Sequence, residues 1–239
     1  LSETTKRKLL AVLIDADNVP DKYAVDILEE IKGLGEPALR RVYGDWSSSR
    51  LSGWGKRVRE LGLVAHQDSS NTTGKNASDI GLVIDAMDIL HSGRFDGFVL
   101  VSSDSDFTAL ANRIREHGLD VFGIGEAKTP EALRNVCNRF ILIENLDVAS
   151  EPSDKKSTKA STKLPPEKAM PLIRKAMSLI EQDGDWVPLG RIGQALQQAH
   201  PDFDTRTYGK AKLKDLFESL KAFETRRSPG NQLEVRRLD

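Results

Sequence analysis

Val99-Leu100-Val101-Ser102-Ser103-Asp104-Ser105-Asp106-Phe107-Thr108-Ala109-Leu110 is an apolar run that stops at two carboxylates, and its reading decides the fold. Phe98 to Val101 is apolar, β-prone and too short for a helix, so it reads as a strand buried on both faces. From Asp106 onward the spacing is helical. Asp104 and Asp106 therefore stand at the carboxyl end of a strand, where open α/β sheets bind their ligands. Side by side they repel unless positive charge lies between them, and a divalent cation is the simplest candidate. The alternative is local: Asp104 or Ser105 caps the following helix, with Asp106 in its first turn favoured by the helix dipole.

Upstream, Leu9 to Ile14 is a second apolar run ending in acids, Asp15-Ala16-Asp17-Asn18. Tyr23 to Ile31 has helical spacing, Leu39 to Tyr43 and Leu63 to Ala65 are strand candidates, and a helix is expected near Val58. Asp68 to Asn76 is a polar loop of the kind compact domains keep for function. From Ala77 to Leu90 a helix is expected to bury Ile80, Val83, Ile84 and Met87 on one face. Downstream, Leu119 to Ile124 reads as a last strand, and Thr129-Pro130-Glu131 opens a helix reaching about Arg139. Alternating strands and helices predict an α/β fold with a mostly parallel sheet covered on both faces.

Glu151 to Pro166 has almost no apolar content and reads as a flexible linker. Helices are expected over Glu167–Gln182, Leu189–Ala199 and about Lys210–Leu220, then a hairpin of Phe223–Arg227 and Gln232–Arg236, which together describe a small C-terminal winged helix. The domains expected are 1–148, a linker 149–166, and 167–239. Charge supports the division: residues 1–150 carry 18 Lys and Arg against 23 Asp and Glu, whereas 151–239 carry 17 against 13. An acidic site-bearing part is joined to a basic contact part. The single cysteine, Cys137, excludes an internal disulfide and fits a reducing compartment. No stretch approaches the roughly 18 consecutive apolar residues of a membrane span, and the polar start lacks a long apolar h-region, so a soluble cytoplasmic protein is expected.

Two parallel strands ending in Asp15 with Asp17 and in Asp104 with Asp106 bring four acids together when adjacent. Asp79, in the first turn of the helix after the polar loop, is the best further acid, since Asp85 and Asp88 lie further along and are open to solvent. Oxygen ligands without His or Cys select a hard ion, Mg²⁺ or Mn²⁺. An aspartyl-phosphate phosphatase is disfavoured because Asn18-Val19-Pro20 follows Asp15-Ala16-Asp17 where that chemistry expects Thr or Ser. A dinucleotide fold is disfavoured because Gly123-Ile124-Gly125 lacks the third glycine.

Ile14-Asp15-Ala16-Asp17-Asn18, Lys75-Asn76-Ala77-Ser78-Asp79 with Ile84-Asp85-Ala86-Met87-Asp88, Val101 to Phe107, and Thr129-Pro130-Glu131 resemble, in order, the motifs of NYN domains, the PIN-like ribonuclease relatives that include LabA-like bacterial proteins. The resemblance covers roughly residues 8–147. It implies a PIN-like α/β/α sandwich and metal-dependent RNA cleavage, with Asp15, Asp79, Asp104 and Asp106 as the metal-binding and catalytic acids. Asn18 and Ser102 would be polar neighbours orienting the acids or the phosphate. Ser103 stands where many members have Gly. Lys75 would meet the phosphate, while Trp46, Arg50, Trp54 and Lys56 offer stacking and phosphate contacts to a single strand. For Trp54, between Gly53 and Gly55, core packing is the favoured reading.

Asp185-Trp186-Val187-Pro188-Leu189-Gly190, Tyr208 to Phe217 and the final hairpin resemble the OST-HTH or LOTUS domain, implicated in RNA or protein binding. Leu213, Leu216, Phe217 and Leu220 form its core stripe, leaving Lys210, Lys212 and Lys214 outside, with Arg226 and Arg227 on the wing to contact phosphates. The function expected is a Mg²⁺- or Mn²⁺-dependent endoribonuclease with an RNA-binding winged helix. The alternative is a non-catalytic RNA-binding or regulatory adaptor on the same fold.

Overall fold

Runs too short and too apolar for helices pair side by side as one parallel sheet: β1 (Leu9–Asp15), β2 (Glu36–Gly44), β3 (Val64–Gln67), β4 (Gly97–Val101), β5 (Asp120–Gly125) and β6 (Arg139–Leu142), in spatial order β3-β2-β1-β4-β5-β6. The computed structural model describes residues 7–67, 77–146, 163–180 and 184–238. They belong to two units, Leu1–Ser153 and Asp154–Asp239. The polar loop with Lys75, and most of the expected linker, lie outside the described residues.

Successive side chains on a strand point to opposite faces, and β1 divides accordingly. Leu10, Val12 and Ile14 pack with α1 (Ala24–Lys32) and α2 (Ser52–Leu61). Ala11 and Leu13 pack on the other face with α3 (Ala77–His91), α4 (Thr108–Glu116) and α5 (Glu131–Val136). Asp15 continues the register of Ala11 and Leu13 and so faces the α3 side. Between β1 and β4 the strand order changes direction, which leaves a crevice at their carboxyl ends. Gly62, in the left-handed region at φ 62°, closes α2 and turns the chain into β3.

Four expectations are corrected. The sheet has a sixth strand, β6, and α5 ends at Val136 rather than near Arg139. On α3 the buried residues are Leu82, Ala86, Ile89 and Leu90; of the stripe read as core, Val83 and Met87 are partly buried against them while Ile80 and Ile84, each 59% exposed, face outward. Asp85 is not open to solvent but is paired, as described below.

The second unit has its own core, with Ile173, Ile192, Leu196, Leu216, Phe217 and Val235 fully buried. Three helices, α6 (Met170–Ser178), α7 (Leu189–Ala199) and α8 (Leu213–Glu218), stand with a three-stranded antiparallel sheet in which β7 (Val187–Pro188) joins the hairpin of β8 (Phe223–Arg227) and β9 (Leu233–Arg237). α8 is shorter than expected, which leaves Lys210 in the preceding turn and Lys212 at the helix boundary. Leu164 donates its backbone N–H to the Thr207 carbonyl at 2.8 Å, so this unit begins before residue 167.

Candidate active site

β1 ends by burying a charge. Asp15 is 1% exposed, and its carboxylate accepts four hydrogen bonds: from Asn18 Nδ2 at 2.6 Å and Ser102 Oγ at 2.8 Å on one oxygen, and from the backbone N–H groups of Asp17 at 3.1 Å and Asn18 at 3.3 Å on the other. Burial raises its pKa above the ordinary carboxylate value against the opposing pull of Asn18 and Ser102. Ser102 also accepts from the Asp104 N–H at 3.1 Å, so one hydroxyl links the ends of β1 and β4.

Asp104 does cap the 3-10 turn Ser105–Phe107, accepting from the Asp106 N–H at 2.9 Å. That uses one carboxylate oxygen. Asp79 shows that the capping reading is incomplete. Its carboxyl is pushed up to about 6, first by burial and then by the charges of Asp15, Asp104, Asp106 and Asp17. The acids from β1, the β4 turn and α3 thus share one field at the β1/β4 crevice, and Asp17 belongs with them although the family resemblance assigns it no role. The Asp-x-Asp spacing was the available signal.

The donor set is all carboxylate oxygen, which fits a hard divalent ion. As placed, no three His, Cys, Asp or Glu side chains among the described residues are grouped to hold one.

The other expected site residues divide. Ser103 turns away and accepts from the Glu126 N–H at 2.9 Å. Trp46 is partly buried, its indole N–H bound to the His66 carbonyl at 2.8 Å. Trp54 is core, 2% exposed, its indole N–H on the Val19 carbonyl at 2.6 Å. Arg50 is exposed beside the acids, lining with Asp17, Asn18, Asp21 and Trp54 a cavity of about 220 Å³.

In the second unit, Lys212 is exposed and Lys210 half-buried, whereas Lys214 pairs with Glu218 at 3.4 Å. The wing arginines are committed internally: Arg226 to Glu234 at 2.8 Å and 4.1 Å above the Trp186 ring, Arg227 to Asn231 Oδ1 at 2.7 Å. The free basic surface lies before α8 more than on the wing.

The chain matches the family model of the NYN domain over residues 9–144 and that of the OST-HTH/LOTUS domain over residues 161–235. A crystal structure of a protein of unknown function from Vibrio parahaemolyticus is similar in fold, with TM-score 0.50 and 19% identity over 59% of this chain and 96% of that one. An uncharacterized protein from Nitrosomonas europaea, solved by NMR, is 30% identical over 38% of this chain and 91% of that one, with TM-score 0.27. No protein of curated function matches the chain. OST-HTH/LOTUS domains bind RNA. The mostly parallel six-stranded sheet flanked by helices, with its acids at the crevice, and the family match over 9–144 have one conclusion: the chain belongs to the NYN domain family, within the PIN-like nuclease superfamily, and carries an OST-HTH/LOTUS domain.

Proposed function

We propose that the protein is a divalent-cation-dependent endoribonuclease whose first domain, 1–148, cleaves RNA and whose last, 163–239, holds it, with a linker between. The observation that carries this reading is the placement of Asp15, Asp17, Asp104, Asp106 and Asp79 around the β1/β4 crevice, where burial first and then the four neighbouring charges push the Asp79 carboxyl up to about 6. Asp15, Asp79, Asp104 and Asp106 would hold Mg²⁺ or Mn²⁺, and the bound ion would polarise the phosphoryl oxygen and lower the pKa of water. The remaining roles belong to the chain. Asn18 and Ser102 fix Asp15, Ser102 ties Asp104 to it, and Asp79 is the acid most relieved by incoming positive charge. Arg50, at the rim of the adjoining cavity, takes a flanking phosphate, and Lys75 and Trp46 complete the substrate path. Lys210 and Lys212 contact the RNA backbone in the second domain, and Lys214, Arg226 and Arg227, already paired within the fold, add charge to the same domain. The buried Cys137 thiol, pushed up to about 12 by burial, is inert and compatible with the cytoplasm. Among the described residues no helix is long and apolar enough to cross a membrane.

Incubation of the full chain with end-labelled and circular RNA, in Mg²⁺, Mn²⁺ or EDTA, tests this. Cleavage of the circle in either ion, none in EDTA, and a fall of at least about a hundredfold in Asp104→Asn, about 2.7 kcal/mol of barrier, are expected. The second reading, an RNA-binding or regulatory adaptor, is favoured by the acids standing apart. Retention of RNA without cleavage in either ion would select it, and binding of a protein but not RNA would assign the OST-HTH/LOTUS domain to a protein partner.

A further inference from the structure

Asp85 has both carboxylate oxygens engaged from β2: Arg41 donates to one through Nη1, and the Tyr43 hydroxyl donates to the other. The pair is largely enclosed, with side chains 28% exposed at Arg41 and 20% at Asp85. Burial first, then the bond to Asp85, raises the Tyr43 phenol, which stays protonated and donating. Such a pair is weak evidence for stability, since desolvation offsets much of the attraction. It asks for another explanation.

The position of α3 supplies one. At about 100° per residue, the buried residues Leu82, Ala86, Ile89 and Leu90 occupy an arc of roughly 100° on the helix, and Asp79 lies inside that arc while Asp85 lies at its flank. From Asp79 to Asp85 the one fully buried side chain is Leu82, with Val83 partly buried beside it. Ile80 and Ile84 face out, and Gly81 adds backbone freedom. An apolar stripe resists lifting but does little against roll. With side chains reaching about 5–6 Å from the axis, a roll of about 20° carries the Asp79 carboxylate about 2 Å. Displacements of about 1 Å can cost about a hundredfold in rate.

We infer that Asp85 is a positioning residue of the acid centre: clamped by Arg41 and Tyr43, it fixes the roll of α3 and so sets Asp79 against Asp15, Asp104 and Asp106. The inference deepens the nuclease reading and rests on it. Asp85 acts through the helix and touches no reacting group.

The test compares the full chain with Asp85→Asn and with Tyr43→Phe, which removes one bond without stranding a charge. Three quantities are measured: the carboxyl-carbon NMR resonance of Asp79 in EDTA, kcat and KM on labelled RNA in Mn²⁺, and the melting temperature. The Asp79 resonance moves in both variants and further in D85N, the Asp104 resonance stays, kcat falls about tenfold or more in D85N and less in Y43F, and KM holds within about twofold. If neither resonance nor kcat moves in an active protein, the positioning role is wrong. If Y43F loses kcat only together with melting temperature and KM, the clamp is structural and the inference also fails. A parent chain that does not cleave RNA, yet whose Asp79 resonance moves in both variants, overturns the nuclease reading and leaves the positioning role standing. Without either, both fall.

Discussion

Burial first and the neighbouring acids second make the Asp79 carboxylate costly to charge, and that cost has a pH signature. Its carboxyl titrates at about 6 in the fold against an ordinary 3.8. Between these values the unfolded chain has lost the proton that the folded chain keeps, so stability falls as pH rises through this window and levels off above it. Fully realised, that difference corresponds to about 3 kcal/mol, and solvent screening reduces it to about 1–2 kcal/mol. Asp79→Asn has nothing to lose. In EDTA, urea unfolding of parent and D79N should diverge from pH 4 to pH 7, with D79N gaining about 1–2 kcal/mol relative to the parent. A gap that is constant with pH, or that grows toward acid, would contradict the shared field. Millimolar Mn²⁺ should close the gap by stabilising the parent alone, by about 2.7 kcal/mol at a hundredfold excess over Kd.

At the scale of elements, α3 decides how much of the molecule was legible. Its existence follows from 3.6-residue spacing, but its face does not, because Ile80, Val83, Ile84 and Met87 make as regular a stripe as Leu82, Ala86, Ile89 and Leu90. Only the sheet opposite distinguishes them. Leu82→Ala should cost about 2–5 kcal/mol as a cavity in the core, and Ile84→Ser should stay within about 0.5 kcal/mol. Equal costs by chemical denaturation would restore the original face. β6 is not legible in the sequence because Arg139-Phe140-Ile141-Leu142 runs on from the helical pattern of Leu133, Val136 and Cys137 after a link of only two residues. The acids were readable because a strand that ends in carboxylates is a local pattern. Asp85 was not, since Arg41 and Tyr43 lie 44 and 42 residues away and no spacing rule joins them. The wing arginines misled for a related reason, their partners Glu234 and Asn231 being visible only once the hairpin register is known.

At the scale of the whole molecule, among the described residues none of the second core belongs to the first unit's two apolar clusters, and each unit closes around its own core. Segment 163–239 should therefore fold alone, and the chain ended at Ser153 should keep metal-dependent cleavage. If Lys210 and Lys212 touch phosphates, the shortened chain loses a tethered second site, so KM rises several-fold while kcat changes little. The salt slope of RNA binding falls by about 0.7 per lost phosphate contact on a single strand. Equal KM and equal slopes would assign the second domain to something other than RNA. The tryptophans are divided in a way that makes such experiments simple to read. Trp46 and Trp54 report on the first unit, with Trp54 sealed against Val19, while Trp186 alone reports on the second, beneath Arg226 and Arg236. Each half thus carries its own optical label, and in Trp186→Phe every emitted photon from indole comes from the half with the acids.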